Sequence, residues 1–197
     1  YSFLLSNTRT KAFILAEPYH ERAYEKSIGT QTNSNSSINA TMGMFLSMSA
    51  LSNYLESLPD RDEYTHVFRI RTDCLIFNCL ENLIQDNQDK VIISNNFSVP
   101  YDWISDHIMI APKSLFYRFW RFNDMKSIFK AYNRGKRNPE KTLQHLGKSI
   151  QNKIIKVLNR GEDYHIIYTP PKETDPAFIQ EAIDSHGIEY LFDNISK

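Results

Sequence analysis

The sequence is poor in glycine, in cysteine and in long apolar runs. Its 197 residues include six glycines and two cysteines. The six glycines form neither a G-x-G-x-x-G fingerprint nor a P-loop, and the H-E-x-x-H and G-x-S-x-G signatures are also missing. No apolar run approaches the roughly 18 residues of a membrane-spanning helix, so the sequence predicts no transmembrane segment and shows no signal-peptide pattern.

An excess of either charge is missing as well. Lys plus Arg and Asp plus Glu number 23 each. This balance argues against the overall basic footprint of a nucleic-acid-binding protein, so we expect no nucleic-acid partner. The two cysteines, Cys74 and Cys79, make neither a disulfide framework nor a zinc motif. A reducing compartment, the cytoplasm, is the expected location.

Short apolar runs alternate with amphipathic segments along the chain. The pattern predicts strands at 1–5, 11–16, 67–77, 91–93, 107–111 and 164–168. It predicts helices at 41–58, 114–132, 140–159 and 176–186. We therefore expect one α/β domain over 1–197, an α/β/α sandwich around a mostly parallel, mixed sheet. A mobile polar loop is expected at 29–39 and a helical appendage at 172–197.

The predicted strand Val67-Phe-Arg-Ile-Arg-Thr-Asp73 carries an unusual amount of charge. Because side chains alternate along a strand, Arg69, Arg71 and Asp73 should share one face. Ligands bind beyond the carboxyl ends of strands in such sheets, and a guanidinium suits bidentate binding of a diphosphate. The alternative is an Arg–Asp salt bridge that only ties strands together.

A carboxylate and aromatic side chains precede the predicted strand 107–111. Asp106 and His107 follow a loop that holds Tyr101 and Trp103. A carboxylate beside aromatic faces suits the binding of sugar hydroxyls, and we predict an acceptor site here. The alternative is that Asp106 is a turn residue that bonds its own backbone.

The third candidate is Glu140 in Asn138-Pro139-Glu140, at the predicted start of a helix. A carboxylate in the first turn is stabilised by the helix dipole alone. Alternatively, Glu140 is a general base that removes a proton from an acceptor hydroxyl.

Together these segments resemble a known family. The helix Thr41-Met-Gly-Met-Phe-Leu-Ser-Met, the strand Phe68-Arg-Ile-Arg-Thr-Asp73, Ser105-Asp-His-Ile-Met-Ile-Ala-Pro112 and Asn138-Pro-Glu-Lys-Thr-Leu occur in the order seen in WavE-like lipopolysaccharide and capsule glycosyltransferases. The resemblance covers roughly residues 40–146. It implies a GT-A type fold, a nucleotide-sugar donor and a glycan or lipid-linked glycan acceptor, with work at the inner face of the membrane.

The resemblance also implies residue roles. Arg69, Arg71 and Asp73 would bind the donor. Arg71 stands where many GT-A enzymes have the first carboxylate of a D-x-D motif, so the resemblance leaves open whether Asp73 holds Mg²⁺ or Mn²⁺ or the enzyme is metal-independent. Glu140 and Asp106 would be the catalytic residues, with Glu140 as the base and Asp106 binding the acceptor or the transferred sugar.

The beginning of the chain departs from the GT-A pattern. It implies a domain that lacks the first βα unit or a divergent short form. Two rival functions therefore stay open, a non-catalytic carbohydrate-binding domain of the same fold and another phosphate-handling α/β enzyme. Nucleoside diphosphate binding, glycan binding without it, or phosphoester turnover without a sugar acceptor would distinguish the three.

Overall fold

Among the residues that the structure describes, four strands form the larger of two sheets. The computed structural model describes residues 38–71, 73–77, 79–95 and 102–166. The strands are β1 (His66–Ile70), β2 (Cys74–Ile76), β3 (Val91–Asn95), β4 (Ile108–Pro112), β5 (Ile154–Asn159) and β6 (Tyr164–Ile166). The larger sheet has the order β1-β4-β3-β5, and β2 pairs with β6 in a separate ladder.

The larger sheet is mixed. Strands β1 and β3 both run antiparallel to β4, whereas β5 runs parallel to β3. The predicted α/β class with a mixed sheet is thus confirmed. The expectation of a mostly parallel sheet is wrong for the described strands, because two of the three strand pairings, β1 with β4 and β3 with β4, are antiparallel.

In the part of the chain that the structure describes, five α-helices accompany the sheet. They are α1 (Ile38–Ser57), α2 (Glu81–Asp86), α3 (Lys113–Trp120), α4 (Met125–Arg134) and α5 (Pro139–Gly147). Two 3₁₀ segments, Arg61–Glu63 and Lys148–Lys153, precede β1 and β5. No described helix is both long and apolar enough to cross a membrane.

The central strands are buried on both faces, which explains their continuous apolar sequences. Val91, Ile93 and Met109 face a core built mainly from α1, α3, α4 and α5. Ile92 and Ile110 face a second core that includes Leu158, Tyr164 and Ile166, with side chains of α2 at its border. Helices therefore cover both faces, an arrangement compatible with an α/β/α sandwich.

The strand predicted at 67–77 is two strands. Strand β1 ends at Ile70, and β2 begins at Cys74 and belongs to the other sheet. A turn separates them, in which the Cys74 amide donates to the Arg71 carbonyl at 3.0 Å. The predicted alternation of side chains therefore stops at Ile70, and Arg71 and Asp73 are placed by this turn.

The helix predicted at 114–132 is also divided. Helix α3 ends at Trp120, and α4 begins anew after Asp124, whose Oδ1 accepts a hydrogen bond of 2.7 Å from the Ser127 amide. Asp124 is therefore an N-cap, a role that aspartate fills well. The aromatic residues on both sides masked this break in the apolar pattern.

The prediction of a helix at 140–159 is wrong for the second half of that range. Helix α5 ends at Gly147, and residues Ile154–Asn159 form β5. The run Ile154-Ile-Lys-Val-Leu is rich in β-branched residues, which favour strands, and pairing with β3 decides the outcome. The short helix α2 was not predicted at all.

Several predictions fall on other parts of the chain. The strands at 1–5 and 11–16, the end of the strand at 164–168, the appendage at 172–197 and Tyr101 lie outside the described residues. The same holds for the predicted loop at 29–39 except its last two positions, which already belong to α1.

Candidate functional site

One edge of the larger sheet brings the predicted site residues together. Ile70, the last residue of β1, lies opposite Ile108, the first residue of β4. Arg71, which follows β1, is therefore adjacent to His107, which precedes β4. The Arg71 amide donates to the His107 carbonyl at 3.1 Å. Strands β3 and β5 also end at this edge, since β3 is antiparallel to β4 and parallel to β5.

Arg71 and Asp73 bind each other with two hydrogen bonds. Arg71 Nε donates to Asp73 Oδ1 at 3.0 Å, and Nη2 donates to Oδ2 at 2.7 Å. This pair raises the pKa of Arg71, so the guanidinium stays charged. Burial alone would raise the pKa of Asp73, but the hydrogen bonds and charge of Arg71 outweigh it and leave that pKa below its usual value.

Asp106 lies on the other side of the same guanidinium. Its Oδ2 is 3.8 Å from Arg71 Nη1, and only 14% of its side chain is exposed. Arg71 is thus shared between two carboxylates that come from separate strand ends. The positive charge of Arg71 compensates the partial burial of both carboxylates, and the two carboxylates compensate the partial burial of Arg71.

Arg69 holds the backbone beneath this site. Its side chain is buried, its Nη1 donates to the Asp106 carbonyl, and its guanidinium carbon lies 4.6 Å from the centroid of the Trp120 ring. Burial lowers the pKa of Arg69, and the nearby carboxylate of Asp106 opposes that effect. These contacts favour a positioning role for Arg69 over direct contact with a ligand.

His107 is fixed by a buried hydrogen bond. Its Nδ1 lies 2.9 Å from the Tyr164 hydroxyl, and its Nε2 lies 3.9 Å from Asp106 Oδ1. Burial lowers the pKa of His107 to about 4, although Asp106 acts in the opposite direction. The imidazole is therefore neutral at physiological pH and orients its neighbours as a hydrogen-bonding group.

Glu140 enters the site from the start of α5. Asn138 caps this helix by accepting a hydrogen bond of 2.9 Å from the Lys141 amide, and Pro139 occupies the first turn. Burial raises the pKa of Glu140; the charge of Asp106 adds to the rise, and Arg71 opposes it. Its Oε2 is buried and accepts no hydrogen bond within the described ranges.

We call these five residues the Arg71 cluster: Arg71, Asp73, Asp106, His107 and Glu140. The sequence singled out all of them, and the fold brings them into one electrostatic network from three separate segments. The sequence analysis did not identify Tyr164, which is the hydrogen-bonding partner of His107. The alternation of Tyr164 and Ile166 in the strand pattern indicates a buried face, but no local signal points to His107, 57 residues away in sequence.

Trp103 lies beside the cluster, in a neighbouring cleft. The Lys141 ammonium group is 4.4 Å from the centroid of its ring. Trp103 therefore contacts Lys141, whereas Asp106, only three positions away, lies near Arg71 and His107. Its predicted role in acceptor binding stays a prediction.

The described residues do not form a divalent-metal site around Asp73. Both oxygens of Asp73 accept hydrogen bonds from Arg71. No three acidic, histidine or cysteine side chains in the described ranges are grouped to share an ion. Burial raises the pKa of the adjacent Cys74 to about 11, so its thiol stays protonated. A metal role for Asp73 stays a prediction, and we derive no step from one.

Comparison with known proteins gives no match. The chain matches no protein-family model, no curated protein and no solved structure.

Proposed function

We propose that the chain is a glycosyltransferase domain that uses a nucleotide-sugar donor in surface polysaccharide synthesis. The observation that supports this proposal is the Arg71 cluster. It places a fixed cation, a carboxylate suited to sugar hydroxyls and a carboxyl group of raised pKa at one sheet edge. A cation can stabilise the leaving diphosphate, and a carboxyl group of raised pKa can serve as a general base in sugar transfer.

Arg71 would bind the donor diphosphate. Its Nε and Nη2 already meet one planar carboxylate in a bidentate geometry, which is the geometry that guanidinium also offers to phosphate. About one third of its side chain is exposed. The positive charge would stabilise the negative charge that develops on the leaving diphosphate.

Glu140 would act as the general base. Its buried Oε2 has no hydrogen-bond donor among the described residues, so this oxygen has unused capacity to accept from an acceptor hydroxyl. As that hydroxyl oxygen bonds to the anomeric carbon of the donor, the bond from this carbon to the diphosphate oxygen breaks, and the proton passes to Glu140. Burial that raises the pKa of the base brings it closer to the working pH.

Asp106 would bind hydroxyl groups of the acceptor or of the transferred sugar. Its carboxylate is mostly buried and lies between Arg71 and His107. The acceptor would be a glycan or a lipid-linked glycan, and the enzyme would work in the cytoplasm at the inner membrane face. Buried polar groups of this kind select ligands whose hydroxyls satisfy them.

Titration with nucleotides tests the proposal. We would follow the unfolding temperature with a panel of nucleoside diphosphates and nucleotide sugars, with and without Mn²⁺. A ligand at about a hundred times its dissociation constant adds about 2.7 kcal/mol of stability. We expect a shift with one nucleotide family, which Arg71→Gln removes and Lys130→Gln, on the exposed face of α4, retains. No shift with any nucleotide would contradict the proposal.

One observation favours a second function, a non-catalytic carbohydrate-binding domain. The Nε–Nη2 edge of Arg71 already donates to both carboxylate oxygens of Asp73, so a diphosphate at that edge would have to compete with Asp73. A glycan could instead bind at Asp106 without displacing this pair. Binding of an oligosaccharide in the absence of any nucleotide effect would support this alternative.

A further inference from the structure

The cleft that contains Trp103 lies across the first turn of α5 from the Arg71 cluster, and we call it the basic cleft. Its volume is about 930 Å³, and the loop after α4, helix α5 and strand β5 form its walls. Among the described residues, five basic side chains and one acidic residue, Asp102, line it. The five are Arg134, Lys136, Lys141, Lys148 and Lys156. The sequence as a whole carries no net charge, so this is a local concentration of positive charge.

Most of this charge is uncompensated. Arg134, Lys136, Lys141 and Lys148 make no ion pair with any carboxylate in the described ranges. The carboxylate of Asp102 accepts a hydrogen bond of 2.9 Å from Gln144 Nε2. Like charges around one concave surface repel one another and raise the local concentration of anions.

Two of the lysines are held in place by Trp103. Lys156 Nζ donates to the Trp103 carbonyl, and Lys141 Nζ lies over the Trp103 ring. Burial lowers the pKa of Lys156, and Asp102 opposes that change. These two cations are therefore already oriented in the free protein, so binding an anion to them costs little ordering entropy.

The loop after α4 is held in an unusual conformation at this cleft. Lys136 and Arg137 have positive φ angles of 54° and 60°, which residues with a β-carbon adopt at a cost. Gly135 packs so tightly on α5 that a β-carbon there would lie 2.3 Å from Thr142 Oγ1. This packing fixes the loop and keeps Lys136 on the rim of the cleft.

The first turn of α5 separates the two sites. Glu140 belongs to the Arg71 cluster, whereas its neighbour Lys141 lies in the basic cleft. Successive residues on a helix point about 100° apart, so one turn can contribute to both. Apolar side chains of Ile104, Ile154 and Ile155 also line the cleft, which provides space for an organic group beside the cations.

We propose that the basic cleft binds the phosphate or diphosphate group of a phosphorylated organic ligand. The proposal stands on the cleft alone and does not depend on the activity proposed for the Arg71 cluster. Two sources carry this chemistry, a lipid-linked phosphate and a soluble nucleotide. The cations would bind the phosphate oxygens, and the apolar wall would contact the group attached to them.

Calorimetric titration with inorganic pyrophosphate tests the site. We expect saturable binding that weakens as salt is added, because exposed charges are screened. The variant Lys136→Gln/Lys148→Gln should bind about tenfold more weakly. The control Lys126→Gln/Lys130→Gln removes the same charge from exposed positions of α4 and should bind as the unchanged protein does. Equal affinity in all three proteins, or no binding, would overturn the proposal.

Two further ligands distinguish the source, and one variant separates this site from the Arg71 cluster. Measured in Arg71→Gln, which removes the proposed donor site, tighter binding of geranyl diphosphate than of pyrophosphate would identify a lipid source, and tighter binding of uridine diphosphate a nucleotide source. Equal binding would show recognition of the phosphates alone. Pyrophosphate binding should persist in Arg71→Gln. Its loss there, with retention in Lys136→Gln/Lys148→Gln, would overturn the basic cleft as the phosphate site.

Discussion

The Arg71 cluster and the basic cleft flank the same turn of α5, but they organise charge in opposite ways. In the cluster, Arg71 lies between the carboxylates of Asp73 and Asp106, and these three charges are partly buried and paired. In the basic cleft, several cations and one carboxylate of the described residues line one concave surface. Zero net charge for the whole chain conceals this local separation.

This difference in charge pairing predicts how substitutions at each site affect the stability of the protein. Removing one member of a paired network leaves a buried partner without compensation, which costs stability. Removing one of several like charges relieves repulsion instead. We therefore expect substitutions in the cluster to affect both folding and function, and substitutions in the basic cleft to affect ligand binding alone.

The largest expected effect concerns Glu140. Exchanging it for Gln keeps the shape of the side chain but removes the base, so turnover of the donor identified by titration should fall by about 10²–10⁴-fold. Donor affinity should stay within a few-fold, because Arg71 and Asp106 are unchanged. Steady-state rates together with a binding titration measure the two quantities separately.

The neighbouring substitution Lys141→Gln is the matched control for that experiment. It alters the adjacent position of the same helical turn but acts in the basic cleft. Turnover at saturating donor should change far less than in Glu140→Gln. If Glu140→Gln left the rate unchanged, Glu140 would not be the base.

The second effect is a dependence of stability on pH. His107 has a pKa of about 4 in the fold, against 6.5 when unperturbed. Between these values the unfolded chain binds a proton that the fold does not, so the free energy of unfolding should fall as the pH drops from about 6.5 to about 4. The difference of pKa corresponds to up to about 3 kcal/mol.

Urea unfolding at a series of pH values measures this dependence. In His107→Gln, which still offers a hydrogen bond toward Tyr164, the contribution of the histidine should be absent and the curve correspondingly flatter over this range. Parallel curves for the two proteins would show that His107 titrates normally.

The members of the cluster could be predicted from the sequence because each one lies near the predicted end or start of a strand or helix. Asp106 precedes an apolar strand, and Glu140 follows Pro139 at a helix start. Their proximity could not be derived from these local patterns, because it depends on β1 pairing with β4. The tight Arg71–Asp73 pair also depends on the turn that ends β1 at Ile70, which the alternating pattern did not show.

The fold was predictable where the apolar pattern was continuous and bounded. Strands β3 and β4 have this pattern, and so does the helix that ends before Pro59. The pattern failed at Ile154–Asn159, where apolar spacing suited a helix and pairing with β3 determined a strand. This error also concealed the basic cleft, since Lys156 reaches it only because β5 is a strand of the sheet.

A smaller effect is expected for the stability of the Arg71 pair. Arg71→Gln should lower the free energy of unfolding by about 2 kcal/mol, between the values for buried and exposed pairs, because Arg71 is about one-third exposed. Asp73→Asn alone should also destabilise. The double variant should lose less than the sum, since neither partner is left charged and unpaired. Additive losses in urea unfolding would show that the pair is not coupled.

The smallest effect should come from the basic cleft. Without ligand, Lys136→Gln/Lys148→Gln should change the free energy of unfolding by no more than about 0.5 kcal/mol, since both residues are exposed and unpaired within the described chain. Relief of repulsion favours a slight increase that disappears at high salt. Urea unfolding in low and high salt measures it, with Lys126→Gln/Lys130→Gln as control. A clear loss of stability at low salt would show that these lysines support the fold, and the contrast with the Arg71 cluster would no longer hold.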